Sequence, residues 1–334
     1  MESSKNHKIG LVVIFNHNYE KNIPLIKEIY KSRFDNIRIL MPFYYGNDEE
    51  VIGVYGNSYT FHNYILQAKE KIMAMNCDCY LLIGDDVYLN PAINCSNLHE
   101  KFGLSEDSFY IDNICDVSLG EYARPILEAT RFNPAAAGLD TATANRKLPS
   151  YEEAFKILSE KNLIHSTRLS HWKIFLREFK KPFFKNFSYN WYVVQSRCYH
   201  LLRNIQYRIL PAKMRYPYVF GYSDLIVIPH CRMKEWCQNL EIFASWGMFV
   251  EMAIPTAMAL IKDAKICFSD KIPFKTGNVW FPYNSKHYYT VEAIIENLLT
   301  SSSDLHALAK NYPEEYLYLH PVKLPRYAKK AKES

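Results

Sequence analysis

The run Lys8-Ile-Gly-Leu-Val-Val-Ile-Phe15 constrains the fold most. A continuous apolar, β-branched segment of this length is the pattern of a central parallel strand covered on both faces. It ends in the polar Asn16-His17-Asn18, so its carboxyl end meets a loop. A helix follows, with Asn22 able to cap it, Pro24 tolerated in the first turn, and Ile26, Ile29 and Tyr30 at helical spacing. Asn36 to Phe43 reads as a second strand, Val51 to Tyr55 as a short third, and Ser58 to Ala74 as a second helix. That helix delivers the chain to Cys79-Tyr-Leu-Leu-Ile83, which runs at once into Gly84-Asp85-Asp86. This order of strands and helices predicts an α/β, doubly wound sheet with helices on both faces, in which ligands collect at the carboxyl ends of the strands. Asn16, His17, Asp85 and Asp86 all fall at such ends.

Beyond residue 115 the character changes. Between 116 and 215 no strand alternation is evident, and helical runs at Gly120 to Thr130 and Tyr151 to Lys161, the latter capped by Ser150, predict a helical insertion. The sheet resumes at Tyr222 to Pro229, followed by an apolar helix over 240–261 and a tail containing Trp280, aromatics around His287, and Tyr316 to Leu324. The expected segments are therefore 1–115, 116–215, 216–327 and a basic tail, 328–334. The stretch Ile242 to Leu260 is nearly long enough to span a bilayer, but Glu251 at its centre and Pro255 close by favour a buried helix of a globular domain.

Eight cysteines without any CxxC pair or Cys/His zinc spacing fit reduced thiols, and the polar start before Ile9 carries no secretory h-region, so a cytoplasmic location is expected. Charge is unevenly spread. Between Arg168 and Arg215 eleven Lys/Arg face a single acid, Glu178, while the remaining chain carries 29 Lys/Arg against 34 Asp/Glu. Aromatics are interleaved with these basic residues, at Trp172, Phe175, Phe179, Phe183, Phe184, Phe187, Trp191 and Tyr192. Such a segment suits contact with an anionic membrane surface, or else helical packing with a solvated basic face. Nucleic acid is not an expected partner, because no nucleic-acid-binding module accompanies the charge.

Two adjacent carboxylates at a strand terminus cannot both be buried unpaired, and a hard divalent cation, Mn²⁺ or Mg²⁺, is one natural partner. The plainer alternative is a strand exit in which an Asp makes an Asx turn or caps a helix. The wider segment Tyr80-Leu-Leu-Ile-Gly-Asp-Asp-Val-Tyr-Leu-Asn-Pro91 resembles the Asp-X-Asp strand end of GT-A glycosyltransferases. In the Fringe and β-1,3-galactosyltransferase group the motif reads as three consecutive Asp; here the first is Gly84. Downstream, Tyr216-Pro-Tyr-Val-Phe-Gly-Tyr-Ser-Asp-Leu-Ile-Val-Ile-Pro229 looks like the acceptor-side strand of the same enzymes, and 221–260 is similar to bacterial surface-polysaccharide glycosyltransferases. The matching parts are 8–91, 216–260 and, more loosely, 312–327.

That resemblance implies a GT-A-like domain whose 1–115 half holds a nucleotide-sugar donor and whose 216–327 half faces a carbohydrate or lipid-linked glycan acceptor. It implies metal binding by Asp86 and by His320 in Tyr316-Leu-Tyr-Leu-His-Pro-Val-Lys-Leu324. Asn16, His17, Asp85 and Lys323 would serve the donor, and Tyr222 and Asp224 the acceptor. Glu251, in apolar surroundings where its pKa would rise, would be the general base. The expected activity is metal-assisted transfer from a nucleoside-diphosphate sugar, a UDP-sugar by preference, to a sugar hydroxyl. A catalytically silent GT-A-like membrane or assembly adaptor is the rival from another class. A nucleotidyltransferase is the other alternative, although Ile14 to Tyr19 lacks the glycine-rich phosphate loop usual in such enzymes.

Overall fold

Strand β1 (Ile9–Ile14) is buried along its whole length, as a strand flanked on both faces requires. It pairs in parallel with β2 (Asn36–Pro42) on one side and β4 (Cys79–Gly84) on the other, and β3 (Val51–Val54) continues in parallel beyond β2. Past β4, β7 (Leu225–Pro229) runs antiparallel to β4 and to β6 (Ser108–Ile111), and β8 (Lys265–Cys267) pairs in parallel with β6. The product is a seven-stranded mixed sheet in the order β3-β2-β1-β4-β7-β6-β8, not closed into a barrel. A smaller sheet has the order β5-β10-β9, with β5 (Tyr88–Leu89) antiparallel and β9 (Lys275–Asn278) parallel to β10 (Tyr316–His320).

The computed structural model describes residues 7–119, 128, 132–135, 141–169, 176, 179, 183, 187–209, 213–279 and 286–324. The chain falls into two units, one of Met1–Asn113, Tyr222–Cys237 and Ala264–Ser334, the other of Ile114–Gly221 and Gln238–Asp263. Both sheets belong to the first.

Helices cover both faces of the large sheet. Ile23, Ile26, Ile29 and Tyr30 of α1 (Ile23–Tyr30) share one core with the alternate β1 residues Ile9, Leu11 and Val13. Helix α2 (His62–Met73) lies against β1, β2 and β3, and its buried Tyr64, Ile65, Ala68 and Ile72 stand outside that core, as do Val12, Leu40 and Leu82. Strand alternation sends those residues to the opposite face. The expected Asn22 cap is a backbone cap only, since the Asn22 side chain makes no capping bond. Ahead of α2, residues Ser58–Thr60 form a 3-10 turn, so the α-helix starts four residues later than the apolar spacing indicated.

In the second unit, α3 (Tyr151–Glu160) begins in a reciprocal cap: Ser150 Oγ accepts from Glu153 N at 3.2 Å and the Glu153 carboxylate accepts from Ser150 N at 2.9 Å. The long α4 (Phe187–Ile209) follows. The single apolar helix expected over 240–261 is instead two, α5 (His230–Ser245) and α6 (Val250–Ala259). The break falls at Gly247, whose φ of +65° is a left-handed conformation open to glycine at little cost. Pro255, expected to break a helix, lies inside α6. Its missing N–H deprives the Glu251 carbonyl of its helical donor, and Gly221 N takes that carbonyl at 2.9 Å. Thr256 Oγ1 accepts from Val219 N at 3.1 Å, and the rings of Tyr216, Phe243 and Trp246 pack together.

The helix expected over Gly120 to Thr130 lies almost wholly outside the described residues, as do Trp280, the His287 side chain, the basic tail 328–334, and Trp172, Phe175 and Phe184 of the basic segment. Among the described residues no helix is long and apolar enough to cross a membrane.

A Cβ added at Gly247 would meet nothing within 4 Å, so only the backbone resists substitution there. Gly247→Ala should therefore cost about 1 kcal/mol of stability in urea unfolding, and Gly247→Asn less, because Asn tolerates the left-handed region.

Candidate functional site

The chain leaves β1 for β2 and β3 on one side and returns to β4 on the other, so the adjacent carboxyl ends of β1 and β4 form a topological switch point. Asp85 is tied into that crevice by both main chain and side chain: its N donates to Ile14 O at 2.9 Å, and its Oδ1 accepts from Asn16 N at 3.4 Å. Because β7 is antiparallel to β4, the residue entering β7 arrives at the same end of the sheet. That residue is Asp224, and its carbonyl accepts from Gly84 N at 2.9 Å.

Strand β10 of the small sheet brings His320 and, beyond it, Lys323 to the second aspartate. Asp86 Oδ1 lies 3.2 Å from His320 Nε2, and Asp86 Oδ2 accepts from Lys323 Nζ at 2.6 Å. The main chain reinforces the approach, with Val322 N donating to Asp86 O at 2.7 Å. On its other side His320 Nδ1 is 3.7 Å from Asp224 Oδ2. The imidazole, buried to 4% exposure, is thus held between two carboxylates from two different strands.

The electrostatics follow from burial opposed by pairing. Burial alone would raise the Asp86 pKa, but His320 and Lys323 outweigh it and hold this carboxyl well below the usual range. Burial alone would lower that of His320, yet Asp224 and then Asp86 raise it to about 9. Asp85 has no cation of its own at hydrogen-bond distance among the described residues, and burial together with the Asp86 charge pushes it up to about 7. Asp224 is raised as well, chiefly by burial.

Cis ligands around a six-coordinate divalent cation, each about 2.1 Å from it, stand about 3 Å apart. The 3.2 Å between Asp86 Oδ1 and His320 Nε2 matches that edge, and one hard oxygen with one imidazole is an acceptable donor pair for Mn²⁺. Among the described residues no group of three or more His, Cys, Asp or Glu side chains is placed to hold a metal ion. A cation at Asp86 and His320 would therefore draw its other ligands from water and bound phosphate, as Mg²⁺ commonly does.

Of the residues expected from sequence, Asn16, Asp85, Asp86, Asp224, His320 and Lys323 meet at this strand-end cluster. His17 is exposed in the loop after β1, and half-buried Tyr222 lies two residues before Asp224. Glu251 belongs to the second unit. Expected in fully apolar surroundings, it is half-buried in the first turn of α6, because the break at Gly247 turns the middle of the apolar stretch into a helix start.

Two features went unread in the sequence. Asp112, at the carboxyl end of β6, accepts hydrogen bonds from Tyr110 OH at 3.2 Å and from Tyr318 OH. Its signal was present, since Phe109-Tyr-Ile-Asp112 repeats the apolar-run-then-acid pattern of Cys79 to Asp85. The second is an aromatic ledge at the ends of β1 to β3, formed by the exposed rings of Tyr19, Phe43, Tyr45 and Tyr55. Phe43 and Tyr55 meet edge to face at 5.9 Å, and Asn18 Nδ2 donates to Phe43 O at 2.8 Å. Phe43 keeps a φ of +56°, a strained value for a non-glycine residue whose ring is 51% exposed.

No protein-family model matches the chain, and no curated protein matches it.

Burial raises the Asp112 pKa to about 7 against two opposing tyrosine hydrogen bonds. A carboxyl raised in the folded state contributes stability below its unfolded pKa and loses it as pH rises through the folded value. Asp112→Asn, whose amide does not ionise, should therefore gain thermal stability relative to the unsubstituted protein as pH is taken from about 4 to about 8, which melting curves across that range will read.

Proposed function

We propose that the chain is a nucleotide-sugar-dependent glycosyltransferase with a GT-A-like domain, moving a sugar from a nucleoside-diphosphate donor, a UDP-sugar by preference, to a carbohydrate hydroxyl. The observation that carries this reading is the meeting of Asp86, His320 and Lys323 at the β1/β4 switch point, with 233 residues of chain between Asp86 and His320. A strand exit with an Asx turn has no need of a buried imidazole and a lysine on the same carboxylate.

In this reading Asp86 and His320 hold a divalent cation, Mn²⁺ or Mg²⁺, which when bound supplies charge neutralisation for the leaving diphosphate. Lys323, its side chain 55% exposed, has a freely solvated flank and adds a second positive charge toward a phosphate oxygen. Asp85 and Asn16 keep the floor of the crevice in place through their mutual hydrogen bond. The Phe43 and Tyr55 rings offer a stacking surface for the planar part of a nucleotide, and His17 is exposed in the loop that follows β1. Tyr222 and Asp224 remain the acceptor-side residues. For the acceptor proton the reading keeps Glu251, on the strength of its place in the segment similar to surface-polysaccharide enzymes.

Peripheral contact with an anionic membrane, near a lipid-linked acceptor, is the accompanying proposal for 168–215. It is supported by the exposure of Phe179, Phe183, Phe187, Trp191 and Tyr192, rings that a purely packing role would bury. Sedimentation with phosphatidylserine vesicles should fall when Phe187 and Trp191 are both replaced by Ser; no change would remove the membrane role.

Calorimetry with UDP and Mn²⁺ tests the central reading. The unsubstituted protein should bind UDP in a Mn²⁺-dependent manner, and Asp86→Asn and His320→Gln should each weaken that binding at least roughly tenfold. Phe43→Gly should melt higher, by relief of about 1 kcal/mol of backbone strain, while losing UDP affinity through the missing ring. Absence of any UDP binding by the unsubstituted protein would leave the adaptor reading in place of the enzyme.

A further inference from the structure

We propose that Asp112 is a positioning residue that acts through Tyr318 to hold His320 against Asp86. His320 sits in the middle of a long-range problem: it belongs to a three-stranded sheet, whereas Asp85, Asp86 and Asp224 stand at strand ends of the seven-stranded one. Something has to fix β10 against the larger sheet. Asp112 is at the end of β6, in the large sheet, and Tyr318 is two residues before His320 in β10, so the two side chains share a face of that strand.

The hydrogen bonds make Asp112 a bridge. One carboxylate oxygen accepts from Tyr110 OH, of its own strand, and the other from Tyr318 OH, of β10. The main chain of Asp112 is itself anchored, its carbonyl accepting from Ser269 N at 3.1 Å and from Ser269 Oγ at 2.8 Å. Tyr110 and Tyr318 are wholly buried and Asp112 is nearly so. A carboxyl in such a place costs more than an apolar residue of similar volume, so packing does not account for it, whereas setting the geometry of a neighbouring strand does.

Other contacts fix β10 in different directions. Asn90 Nδ2 donates to Tyr316 O at 2.8 Å and to Glu314 O at 3.1 Å, which sets register along β5. The Tyr318 hydroxyl reaches from the His320-bearing face of β10 to the carboxyl at the end of β6. A slip of about 1 Å at that face is enough to break the contact between His320 Nε2 and Asp86, and groups that orient metal-binding histidines typically carry about 10- to 100-fold in metal affinity.

The importance of the pair for function rests on the glycosyltransferase reading, but its geometry can be tested apart from that. The first measurement is proton NMR of protein labelled with ¹⁵N-histidine, following the downfield, slowly exchanging ring N–H of His320, identified by its disappearance in His320→Gln. The second is calorimetry with UDP and Mn²⁺. The variants are Tyr318→Phe, which removes one hydroxyl and keeps the ring; Asp112→Asn, which keeps an acceptor and a hydrogen-bonding shape; and Tyr80→Phe, which removes another tyrosine hydroxyl near the start of β4, bonded to His230 Nδ1 at 2.6 Å. Tyr318→Phe should lose or broaden the resonance and weaken Mn²⁺-dependent UDP binding about tenfold or more, whereas Asp112→Asn and Tyr80→Phe should retain both within a few-fold. The proposal is overturned if Tyr318→Phe keeps resonance and affinity, if Asp112→Asn or Tyr80→Phe loses as much, or if the unsubstituted protein shows no such resonance. UDP binding absent throughout, with the resonance still lost in Tyr318→Phe, would instead overturn the glycosyltransferase reading and leave the positioning role standing.

Discussion

A carboxylate that keeps only 14% of its side chain exposed must be met by positive charge, and Asp86 is met twice, by His320 Nε2 on one oxygen and Lys323 Nζ on the other. Three strands of the first unit serve that meeting. The apolar β4 carries Asp86 to the switch point, β7 runs backwards so that Asp224 reaches the far side of the same imidazole, and the small sheet carries β10 across to supply the two cations. Removing either cation would leave a buried negative charge only half compensated, and removing both is among the costlier defects a folded chain can carry.

The position of the cluster is a consequence of topology rather than of any one residue. Parallel strands expose their carboxyl ends along one edge, and the reversal of direction between β1/β2 and β1/β4 opens a crevice there. Antiparallel β7 adds its amino end to the same edge, which is why acids from three strands, Asp85–Asp86, Asp112 and Asp224, stand together although they are scattered through the sequence. The aromatic ledge of Tyr19, Phe43, Tyr45 and Tyr55 continues that edge past β1, β2 and β3.

Much of this was readable wherever a short apolar run ended in a polar residue, because burial on both faces dictates the run and chain reversal dictates its end. β1, β2 and β4 were found in that way, with Asn16, Asp85 and Asp86 at their ends. The short β6 obeys the same rule, but four residues make too weak a pattern to identify it, and Asp112 is hidden with it. The apolar stretch after β7 misled for the opposite reason. Hydropathy reports burial but not direction, so two buried helices joined at Gly247 look like one, and Pro255 inside α6 is tolerated only because Gly221, far away in sequence, supplies the replacement hydrogen bond. Pairings such as His320 with Asp86 are tertiary facts; only the resemblance of Tyr316 to Leu324 to a metal-completing segment pointed there.

The cluster also has a charge imbalance built into it. Four carboxyl groups face one imidazole and one ammonium, and only Asp86 is held firmly ionised; burial lifts Asp85 and Asp112 to about 7 and raises Asp224. Each raised acid is one for which the fold supplies too little positive charge. A purely structural network tends to resolve such crowding with further Lys or Arg partners, yet Lys323 is paired to Asp86 and its side chain is 55% exposed, shared with solvent. A site short of positive charge at its floor, with a half-exposed ammonium beside it, is complementary to a ligand that arrives as cation and phosphate together, which is the ligand class the proposed function calls for.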